Sequence, residues 1–319
     1  MTTYILVSLI LIISAFVYIK IAEKYNIVDR PNHRSSHTEP IIRGAGVLFY
    51  IAAFIFFVVS NFSYPYLIIG LSIIALISYI DDLMTLSSKV RLVFQFISIS
   101  LLLYQLVLIL ELPIYVLPIL LIIGVGFINV FNFMDGINGI TGLYSLVAFF
   151  GLYLINRKEE ILDERFIVFM IISIIIFGYF NFRKKARFFC GDVGSISLAI
   201  ILLFMITYFS FKLESPLIVL LMGVYLTDAV FTIFYRKAIG ENIVEAHRHH
   251  IYQKLTDIKK YPHLKTSLLY AILQSLIILV ILFSYNLYIK AQLLIFVCIS
   301  LTLVLLYIFL FKWLKKVKD

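Results

Sequence analysis

Long runs of apolar residues, separated by short polar segments, extend from one end of the chain to the other. A transmembrane helix needs about 20 mostly apolar residues, with a range of about 17–25. By this measure the sequence predicts eleven spanning helices, near 4–21, 45–60, 65–80, 92–111, 113–131, 142–156, 166–181, 195–212, 216–235, 266–288 and 291–311. The alternation that a membrane barrel requires is absent from these runs. We therefore expect an all-α fold, a polytopic transmembrane helical bundle.

The composition agrees with a membrane protein and excludes an ordinary soluble one. Of the 319 residues, 62% are hydrophobic and 14% are charged, whereas soluble domains have about 25% charged residues. No segment is polar enough to fold separately, so we expect a single membrane domain over residues 1–319. Cys190 and Cys298 are far apart in apolar surroundings, which favours neither a disulfide framework nor a zinc site.

The basic residues are distributed unequally between the two sides of the predicted bundle. If the amino terminus lies outside, the inner segments carry 22 of the 27 lysines and arginines and the outer segments carry 5. Because cytoplasmic loops are enriched in basic residues, we expect the amino terminus outside and the carboxyl terminus in the cytoplasm. The net charge of +9 then reflects contact with the lipid bilayer, and we expect no nucleic-acid partner.

The first polar cluster on the predicted cytoplasmic side is the pair Asp81 and Asp82, at the inner end of the third predicted helix. An ionised carboxylate in a spanning helix costs about 2.5–3.5 kcal/mol, so two adjacent ones need water, a metal or a cation. Their mutual repulsion can also raise one pKa and produce a usable base. The alternative is a solvated helix end paired with Lys89 or Arg91.

The second cluster runs from Asn129 to Gly139, directly after an apolar helix. Asn132, Asp135 and Asn138 recur every three residues and share a face on a helical or turn-like path. Carboxylate and amide groups beside glycines suit a nucleotide, a diphosphate or a metal. An ordinary turn rich in asparagine and glycine would give the same pattern.

The third cluster, Phe188 to Ser195, places Asp192 between glycines at the predicted start of the eighth helix. One or two carboxylates commonly hold Mg²⁺ together with substrate phosphates, and a helix N-terminus itself favours phosphate. The alternative is helix capping by Asp192 or Ser195.

The fourth cluster, in the longest inner loop, consists of His247, Arg248, His249 and His250. Such residues bind phosphate or donate protons. Zinc is not favoured, because no cysteine or carboxylate stands at zinc-ligand spacing nearby.

These clusters, in this order, resemble the motifs of the polyprenyl-phosphate N-acetylhexosamine-1-phosphate transferases, the MraY/WecA-like family. Asp81-Asp82 resembles the paired aspartates, Asn129 to Gly139 the N-x-x-N-x-x-D-G-x-[DN]-G motif, and Gly191 to Ser195 the G-D-x-G-S motif. His247 to His250 resembles the late histidine loop, and Arg43-Gly44-Ala45-Gly46 is similar to an early R-G-G-G-like stretch. The matches cover positions 43 to 250.

The resemblance implies that undecaprenyl phosphate attacks the β-phosphate of a UDP-N-acetyl sugar, giving undecaprenyl-diphospho-sugar and UMP. It implies Mg²⁺, with Mn²⁺ as a substitute, bound by Asp192. The catalytic residues that it implies are Asp81, Asp82, Asp135 and His249, with Asp81 or Asp82 acting on the lipid phosphate. The substrate-binding residues that it implies are Arg43, Asn132, Asn138, Phe189, His247, Arg248 and His250, with Phe189 stacked on uracil.

This sequence departs from the family's motifs in two places, and both bear on the identity of the sugar donor. Asn138 stands where many members carry aspartate, and the histidine loop looks closer to that of the enzymes that initiate O-antigen and teichoic-type polymers. We therefore expect UDP-GlcNAc or a related deoxyamino sugar, in the inner membrane and in the synthesis of a cell-surface polysaccharide. The phospho-MurNAc-pentapeptide transferase of peptidoglycan synthesis is the alternative. The oligomeric state stays open, with a homodimer among the choices.

Other classes of membrane protein make different predictions. Intramembrane carboxylates often mark the ion paths of transporters and channels, but transporter sites usually lie near the midplane and these clusters lie at helix ends. A CDP-alcohol phosphotransferase would carry a D-G-x-x-A-R signature, which is absent.

Overall fold

The computed structural model describes residues 2–30, 39–242 and 247–315. It is a bundle of helices, and the helices that it describes are α1 (Thr2–Tyr25), α2 (Val47–Val59), α3 (Pro65–Leu83), α4 (Ser88–Leu110), α5 (Leu117–Phe133), α6 (Ile140–Glu159), α7 (Glu164–Asn181), α8 (Gly191–Lys212), α9 (Gly223–Ala238), α10 (Ile251–Asp257), α11 (His263–Ser284) and α12 (Ile289–Lys315). Two short 3₁₀ segments, Ile114–Val116 and Pro216–Met222, precede α5 and α9.

The expected polytopic transmembrane bundle is confirmed. Within the described ranges, ten helical segments are long and apolar enough to cross a membrane, and each coincides with a predicted span. The predicted span at 45–60 is the shorter helix α2, of 13 residues. The predicted span at 216–235 begins as a 3₁₀ segment and becomes α-helical only at Gly223.

The centre of the bundle is α8. In its most apolar stretch of 18 residues, 83% are buried, compared with 11% in the peripheral helix α12. Since α8 begins with the Gly191–Ser195 motif, the most enclosed helix of the bundle also carries a predicted site residue, Asp192.

Polar side chains join neighbouring helices inside the bundle. The amides of Gln95 on α4 and Asn129 on α5 exchange two hydrogen bonds, at 3.2 and 2.8 Å. Tyr144 on α6 donates to the side-chain oxygen of Gln274 on α11. Such bonds contribute about 0.6–2 kcal/mol each between membrane helices, and they fix which helix faces meet.

A small sheet holds one end of the bundle together. Strands β1 (Val28–Asp29) and β2 (Ile41–Ile42) pair in antiparallel fashion, and Ile42 forms a parallel bridge with Phe188. The backbone N–H of Phe189 donates to Ile42 (2.7 Å) and that of Ala45 donates to Phe189 (3.1 Å). The segment before α2 is thereby fixed to the segment before α8.

Glycines allow the starts of α2 and α8 to touch. A Cβ on Gly46 would overlap the Cα of Gly194 and lie 2.7 Å from the carbonyl oxygen of Cys190. Gly191 has φ +71°, in the left-handed region that glycine adopts without strain. The glycines of the Arg43–Gly46 and Gly191–Ser195 motifs are therefore explained by contact with each other's backbone.

This contact predicts that Gly46→Ala destabilises the protein, because the obstructing atoms belong to the backbone and cannot rotate away. Overpacking of this kind costs about 1–3 kcal/mol, and we expect a lower midpoint of thermal unfolding in detergent, followed by circular dichroism. Gly126→Ala is the matched control, because a Cβ there meets nothing within 4 Å and alanine is favoured in a helix by about 1 kcal/mol. A Gly46→Ala protein as stable as the Gly126→Ala protein would contradict this packing.

Candidate active site

Asp82, in the last turn of α3, binds the first turn of α8. Its Oδ1 accepts a hydrogen bond from the backbone N–H of Asp192 (2.9 Å), and its Oδ2 accepts one from Val193 (3.1 Å). The Nε of Arg43 lies 2.7 Å from the same Oδ1, and the side chain of Asp82 has no exposed surface. Because a helix N-terminus has unpaired N–H groups and a partial positive charge, this carboxylate caps α8 from a different helix.

The cap changes two predictions. Capping of α8 by Asp192 or Ser195 is wrong, because the cap residue is Cys190, without a side-chain cap, and Asp82 supplies the acceptor. The predicted action of Asp82 on the lipid phosphate stays a prediction, and the cap argues against it, because the two oxygens already accept from Asp192, Val193 and Arg43. Ser195 instead donates to the amide oxygen of Asn132 (2.6 Å), which joins α8 to α5.

The side chain of Asp192, in the first turn of α8, lies between two arginines. Nη2 of Arg43 is 4.0 Å from its Oδ1, and Nη1 of Arg91 is 3.7 Å from its Oδ2. Both distances exceed those of hydrogen bonds, and the side chain of Asp192 is 18% exposed. Of the two aspartates joined by the cap, Asp192 is therefore the one with accessible oxygens.

Asp81 pairs with Arg91, whose Nη1 lies 3.2 Å from its Oδ2. The backbone N–H of Leu86 donates to Oδ1 of Asp81 (2.6 Å). The alternative of a solvated helix end was therefore correct about the partner, Arg91, but wrong about the solvation, because the side chain of Asp81 is only 5% exposed. Arg91 bridges Asp81 and Asp192 and is a site residue that the sequence motifs did not identify.

Asp135 and Asn132 lie beside this group. Thr141 donates to Oδ1 of Asp135 (2.6 Å). The pKa of Asp135 is raised to about 6, mainly by burial and also by the charge of Asp82, while the Thr141 bond and the charge of Arg43 lower it. For Arg43, burial alone would lower the pKa, but Asp82 and Asp192 raise it overall, so the guanidinium stays charged.

The charges around Asp192 suit a divalent cation. Four carboxyl groups interact here with two guanidinium groups; they belong to Asp81, Asp82, Asp135, Asp192, Arg43 and Arg91. The acidic groups outnumber the basic ones, which favours a cation at this end of the bundle. In the described part of the chain no three histidine, cysteine or acidic residues form a complete metal cage. Mg²⁺ commonly takes only one or two carboxylates and completes its shell with phosphates and water, so the residues fit such an ion.

Phe189 is placed by the small sheet. Its backbone pairs with Ile42 and Ala45 on either side of Arg43, and its side chain is half-buried. The ring thus lies two residues before the start of α8. Its expected stacking on uracil stays a prediction.

Asn138 is bonded to the loop between α7 and α8. Its Nδ2 donates to the carbonyl oxygens of Arg183 (3.1 Å) and Lys184 (3.4 Å), and the residue is buried. These bonds hold the loop at Arg183 and Lys184, and they occupy the amide group that was predicted to contact the substrate. Asn181 supports the same region, because it accepts from the N–H of Gly139 (2.8 Å) and donates to Phe188 (2.7 Å). Asn181 lies outside every motif, so no signal in the sequence identified it.

The histidine loop is divided among several partners. Arg248 forms two hydrogen bonds of 2.8 Å with Asp257, and Nε2 of His249 lies 2.8 Å from Glu241. Both line a polar cavity of about 660 Å³ with Lys254 and Asp257. The structure therefore does not bring Arg248 and His249 to the Asp192 group, and their predicted contact with diphosphate requires these ion pairs to open.

His247 and His250 lie nearer to the second motif. The ring of His247 lies 6.4 Å from that of Phe133 and 4.9 Å from that of His250. Burial, and then the charges of His250, Arg236 and His249, lower the pKa of His247 to about 3, so this imidazole is neutral. Tyr252 donates to the carbonyl oxygen of Phe133 (3.1 Å), which fixes the loop to the turn containing Asp135.

The sequence is similar to those of known proteins over the region that forms this site. Residues 64–210 match glycosyl transferase family 4, and this range contains Asp81, Asp82, Asn132, Asp135 and Asp192. A probable undecaprenyl-phosphate N-acetylglucosaminyl 1-phosphate transferase of Bacillus subtilis (strain 168) is 26% identical over 262 residues, which cover 74% of this chain and 71% of the relative. The chain is thus similar, over most of its length, to a relative named as a transferase of the MraY/WecA-like type.

Two further relatives carry names of the same kind. An undecaprenyl-phosphate alpha-N-acetylglucosaminyl 1-phosphate transferase of Thermotoga maritima is 26% identical over 73% of this chain and 75% of its own length. A phospho-N-acetylmuramoyl-pentapeptide-transferase of Listeria monocytogenes is 30% identical, but over 36% of each chain. The recognition of the MraY/WecA-like family from the motifs is thus confirmed, and the transporter and CDP-alcohol alternatives are set aside.

The raised pKa of Asp135 predicts that Asp135→Asn stabilises the metal-free protein at neutral pH. Asp135 titrates near pH 6 in the folded protein and near 3.9 in an unfolded chain. Below about pH 4 both states are protonated. Between about pH 4 and 6 the unfolded chain ionises while folded Asp135 keeps its proton, so stability falls as the pH rises through this window and stays low above it. We expect a gain of about 1–3 kcal/mol at pH 7.5, measured by thermal unfolding in EDTA.

Asp163→Asn is the control, because its expected effect on stability has the opposite sign. Burial raises the pKa of Asp163, but hydrogen bonds from Arg165 lower it overall. Its loss should therefore destabilise the protein at neutral pH. Equal effects of the two substitutions, or a gain for Asp135→Asn that does not vanish below pH 4, would contradict this description of Asp135.

Proposed function

We propose that the chain transfers N-acetylglucosamine 1-phosphate from UDP-GlcNAc to undecaprenyl phosphate, which starts the synthesis of a cell-surface polysaccharide. The observation that carries this proposal is an accessible carboxylate, Asp192, held between Arg43 and Arg91 in a chain whose relatives over about three quarters of its length are named as GlcNAc-1-phosphate transferases. A related deoxyamino sugar is the nearest alternative donor. The match to phospho-MurNAc-pentapeptide transferases covers only about a third of the chain, which favours UDP-GlcNAc.

In the proposed reaction, a phosphate oxygen of undecaprenyl phosphate attacks the sugar-bound β-phosphorus of UDP-GlcNAc. The new P–O bond forms as the bridge between the two phosphates of UDP breaks, and the leaving oxygen carries its electron pair away on UMP. The products are undecaprenyl-diphospho-GlcNAc and UMP. Charge accumulates on the phosphate oxygens, so positive groups at the site lower the barrier.

The Asp192 group supplies this environment. Asp192 would hold Mg²⁺, which when bound offsets phosphate charge. Arg43 and Arg91 are about one-third exposed and are placed to contact phosphates. Asp135 is a better base for the lipid phosphate than Asp82, because its pKa near 6 suits proton transfer at neutral pH, whereas Asp82 is occupied by the cap.

We also propose that this site faces the cytoplasm of the inner membrane. The segments before α2, after α3, after α5 and before α8 meet at one end of the bundle. The loop between α6 and α7 lies at the opposite end, where Arg165 reaches the carbonyl of Val59. Basic residues are concentrated on the side of Asp192, and basic loops are cytoplasmic. The amino terminus is then outside and the carboxyl terminus inside.

The test is release of UMP by the purified protein supplied with undecaprenyl phosphate, Mg²⁺ and a panel of UDP-N-acetyl sugars. We expect release with UDP-GlcNAc and a loss of at least about 100-fold in Asp192→Asn, because one charged group at the reacting phosphates is worth that much or more. Asp163→Asn, at the opposite end of the bundle, should keep its rate per folded molecule. No UMP with any UDP-N-acetyl sugar would refute the proposed function, and full activity of Asp192→Asn would refute its role.

A further inference from the structure

An apolar cavity of about 410 Å³ lies between α9, α10, α11 and α12. Its floor is buried and includes Leu303 and the side chains of Tyr270 and Tyr307. Its rim includes Ile272 and Leu276, which are 56% and 57% exposed on a spanning helix, so the cavity is open towards the bilayer. Because an unfilled apolar cavity loses dispersion contacts, we expect the hydrocarbon chain of a membrane lipid to fill it.

The polar groups at the floor of the cavity have partners within the protein. The hydroxyl of Tyr270 donates to Oδ2 of Asp228 (2.5 Å), and the backbone N–H of Ile251 donates to its Oδ1 (3.1 Å). The hydroxyl of Tyr307 lies 3.2 Å from that of Thr232. The cavity therefore offers mainly carbon surface to an occupant, which suits a chain without polar groups.

The length of the cavity limits the kind of chain. Along α12 its lining reaches from Leu303 to Trp313. At about 1.5 Å per residue this stretch is about 15 Å long, which is half of the hydrocarbon core of about 30 Å. The cavity thus fits one acyl chain within a single leaflet, and it is much shorter than an extended undecaprenyl chain.

The mouth of the cavity contains two aromatic rings, each with a lysine against it. Nζ of Lys259 lies 3.9 Å from the ring centre of Trp313, and Nζ of Lys265 lies 4.2 Å from that of Tyr261. Among the ion pairs of the described ranges, none includes Lys259 or Lys265. An ammonium group has three donors, so N–H groups remain for a phosphate, and tryptophan and tyrosine are typical of the level of lipid headgroups.

The surroundings of the mouth are strongly basic. Residues 254–265 and 312–315 contain six lysines and one acidic residue, Asp257, and Asp257 already pairs with Arg248. Basic pockets between spanning helices bind anionic lipid headgroups. The charge at the mouth therefore selects an anionic lipid over a zwitterionic one.

This mouth is separate from the candidate active site, although both lie at the same end of the bundle. Tyr252, in α10, donates to the carbonyl oxygen of Phe133 at the end of α5, which fixes α10 at the end that carries Asp192. The Asp192 group comes from α3, α4, α8 and the segment before α2, and none of these lines the cavity. A phosphate at Lys259 is thus distinct from the reacting phosphates.

We propose that this cavity binds an anionic glycerophospholipid of the bilayer, such as phosphatidylglycerol, with one acyl chain between α9, α11 and α12 and its phosphate at Lys259 and Lys265. The lipid is a bound component of the protein and takes no part in the transfer of the sugar phosphate. The proposal is independent of the proposed function, because binding can be measured without any UDP-sugar.

The experiment uses the fluorescence of Trp313, which is the single tryptophan of the chain and lines the cavity. The protein is placed in phosphatidylcholine vesicles with increasing fractions of phosphatidylglycerol brominated near the carboxyl end of its acyl chains, and brominated phosphatidylcholine is compared. Each lysine near an anionic headgroup contributes about fivefold. We expect half-maximal quenching at a mole fraction about 25-fold lower for phosphatidylglycerol. Equal quenching by the two lipids would overturn the proposal.

The double variant Lys259→Gln/Lys265→Gln tests the headgroup contact. We expect its preference for phosphatidylglycerol to fall to within about twofold, because both ammonium groups at the mouth are lost. Lys24→Gln/Lys89→Gln is the matched control, since it removes the same charge at the end of α1 and the start of α4 and should keep the preference. The same loss in both variants would indicate a general effect of surface charge and would overturn the proposal.

The double variant Leu306→Phe/Leu310→Phe tests the cavity, because both leucines line it and phenylalanine adds no second tryptophan. We expect quenching by brominated phosphatidylglycerol to weaken by about fivefold or more, since the chain would be overpacked. Leu305→Phe/Ile308→Phe is the control, with side chains that are 67% and 39% exposed on the outer face of α12. Circular dichroism confirms that each variant is folded. Unchanged quenching in the cavity variant would refute insertion of the chain.

Competition distinguishes the two lipid phosphates of the membrane. Unlabelled undecaprenyl phosphate, added at the mole fraction of the brominated phosphatidylglycerol, should displace it less than unlabelled phosphatidylglycerol does, because its chain is too long for the cavity. Stronger displacement by undecaprenyl phosphate would make the substrate lipid the occupant and would overturn the proposal. A protein that releases no UMP but shows the expected quenching would refute the proposed function and leave this site standing.

Discussion

The carboxylate of Asp82 caps a helix to which it does not belong, and the candidate site depends on this interaction. It receives two N–H groups of α8 and the guanidinium of Arg43, and its side chain is fully buried. Removing one partner of such a buried pair costs about 3–5 kcal/mol. Because Asp82, on α3, accepts from the first N–H groups of α8, the side chain of Asp192 is not needed to cap its own helix. Asp192, which we propose holds the cation, is therefore free of the cap that buries Asp82 and keeps 18% of its side chain exposed.

The rest of the fold supports this contact. Helix α8 is enclosed on most of its surface, and its start can approach α2 only because Gly46 and Gly194 have no side chains. The small sheet fixes the segment of Arg43 beside Phe189, so the guanidinium reaches both Asp82 and Asp192. Arg91, from α4, completes the group. In a bundle whose outer surface is apolar, these charges are confined to one end, where phosphates can meet both a lipid and the aqueous phase.

The motifs indicated the chemistry of the site but not the partner of each residue. The spans followed from the apolar runs, although α2 is shorter than its run and α9 begins later, because local backbone geometry is not visible in hydropathy. Asp82 and Asp192 are 110 residues apart, and no local pattern shows that one caps the other. The sequence predicted that the histidine loop binds phosphate as one unit. In the structure Arg248 pairs with Asp257, His249 with Glu241 and His250 with Asp228. Asn181 and Arg91 resembled ordinary polar residues at helix ends, so no motif marked them as parts of the site.

The most direct test of the account is the stoichiometry of divalent cation binding, measured by electron paramagnetic resonance during titration with Mn²⁺ in place of Mg²⁺. In the presence of UDP-GlcNAc, one Mn²⁺ should bind per chain, and Asp192→Asn should abolish this binding. Asp82→Asn should weaken it in protein that is still folded, because the carboxylate of Asp192 loses its fixed position. Unchanged Mn²⁺ binding in Asp192→Asn would contradict the claim that the cap on α8 exists to present this residue to a cation.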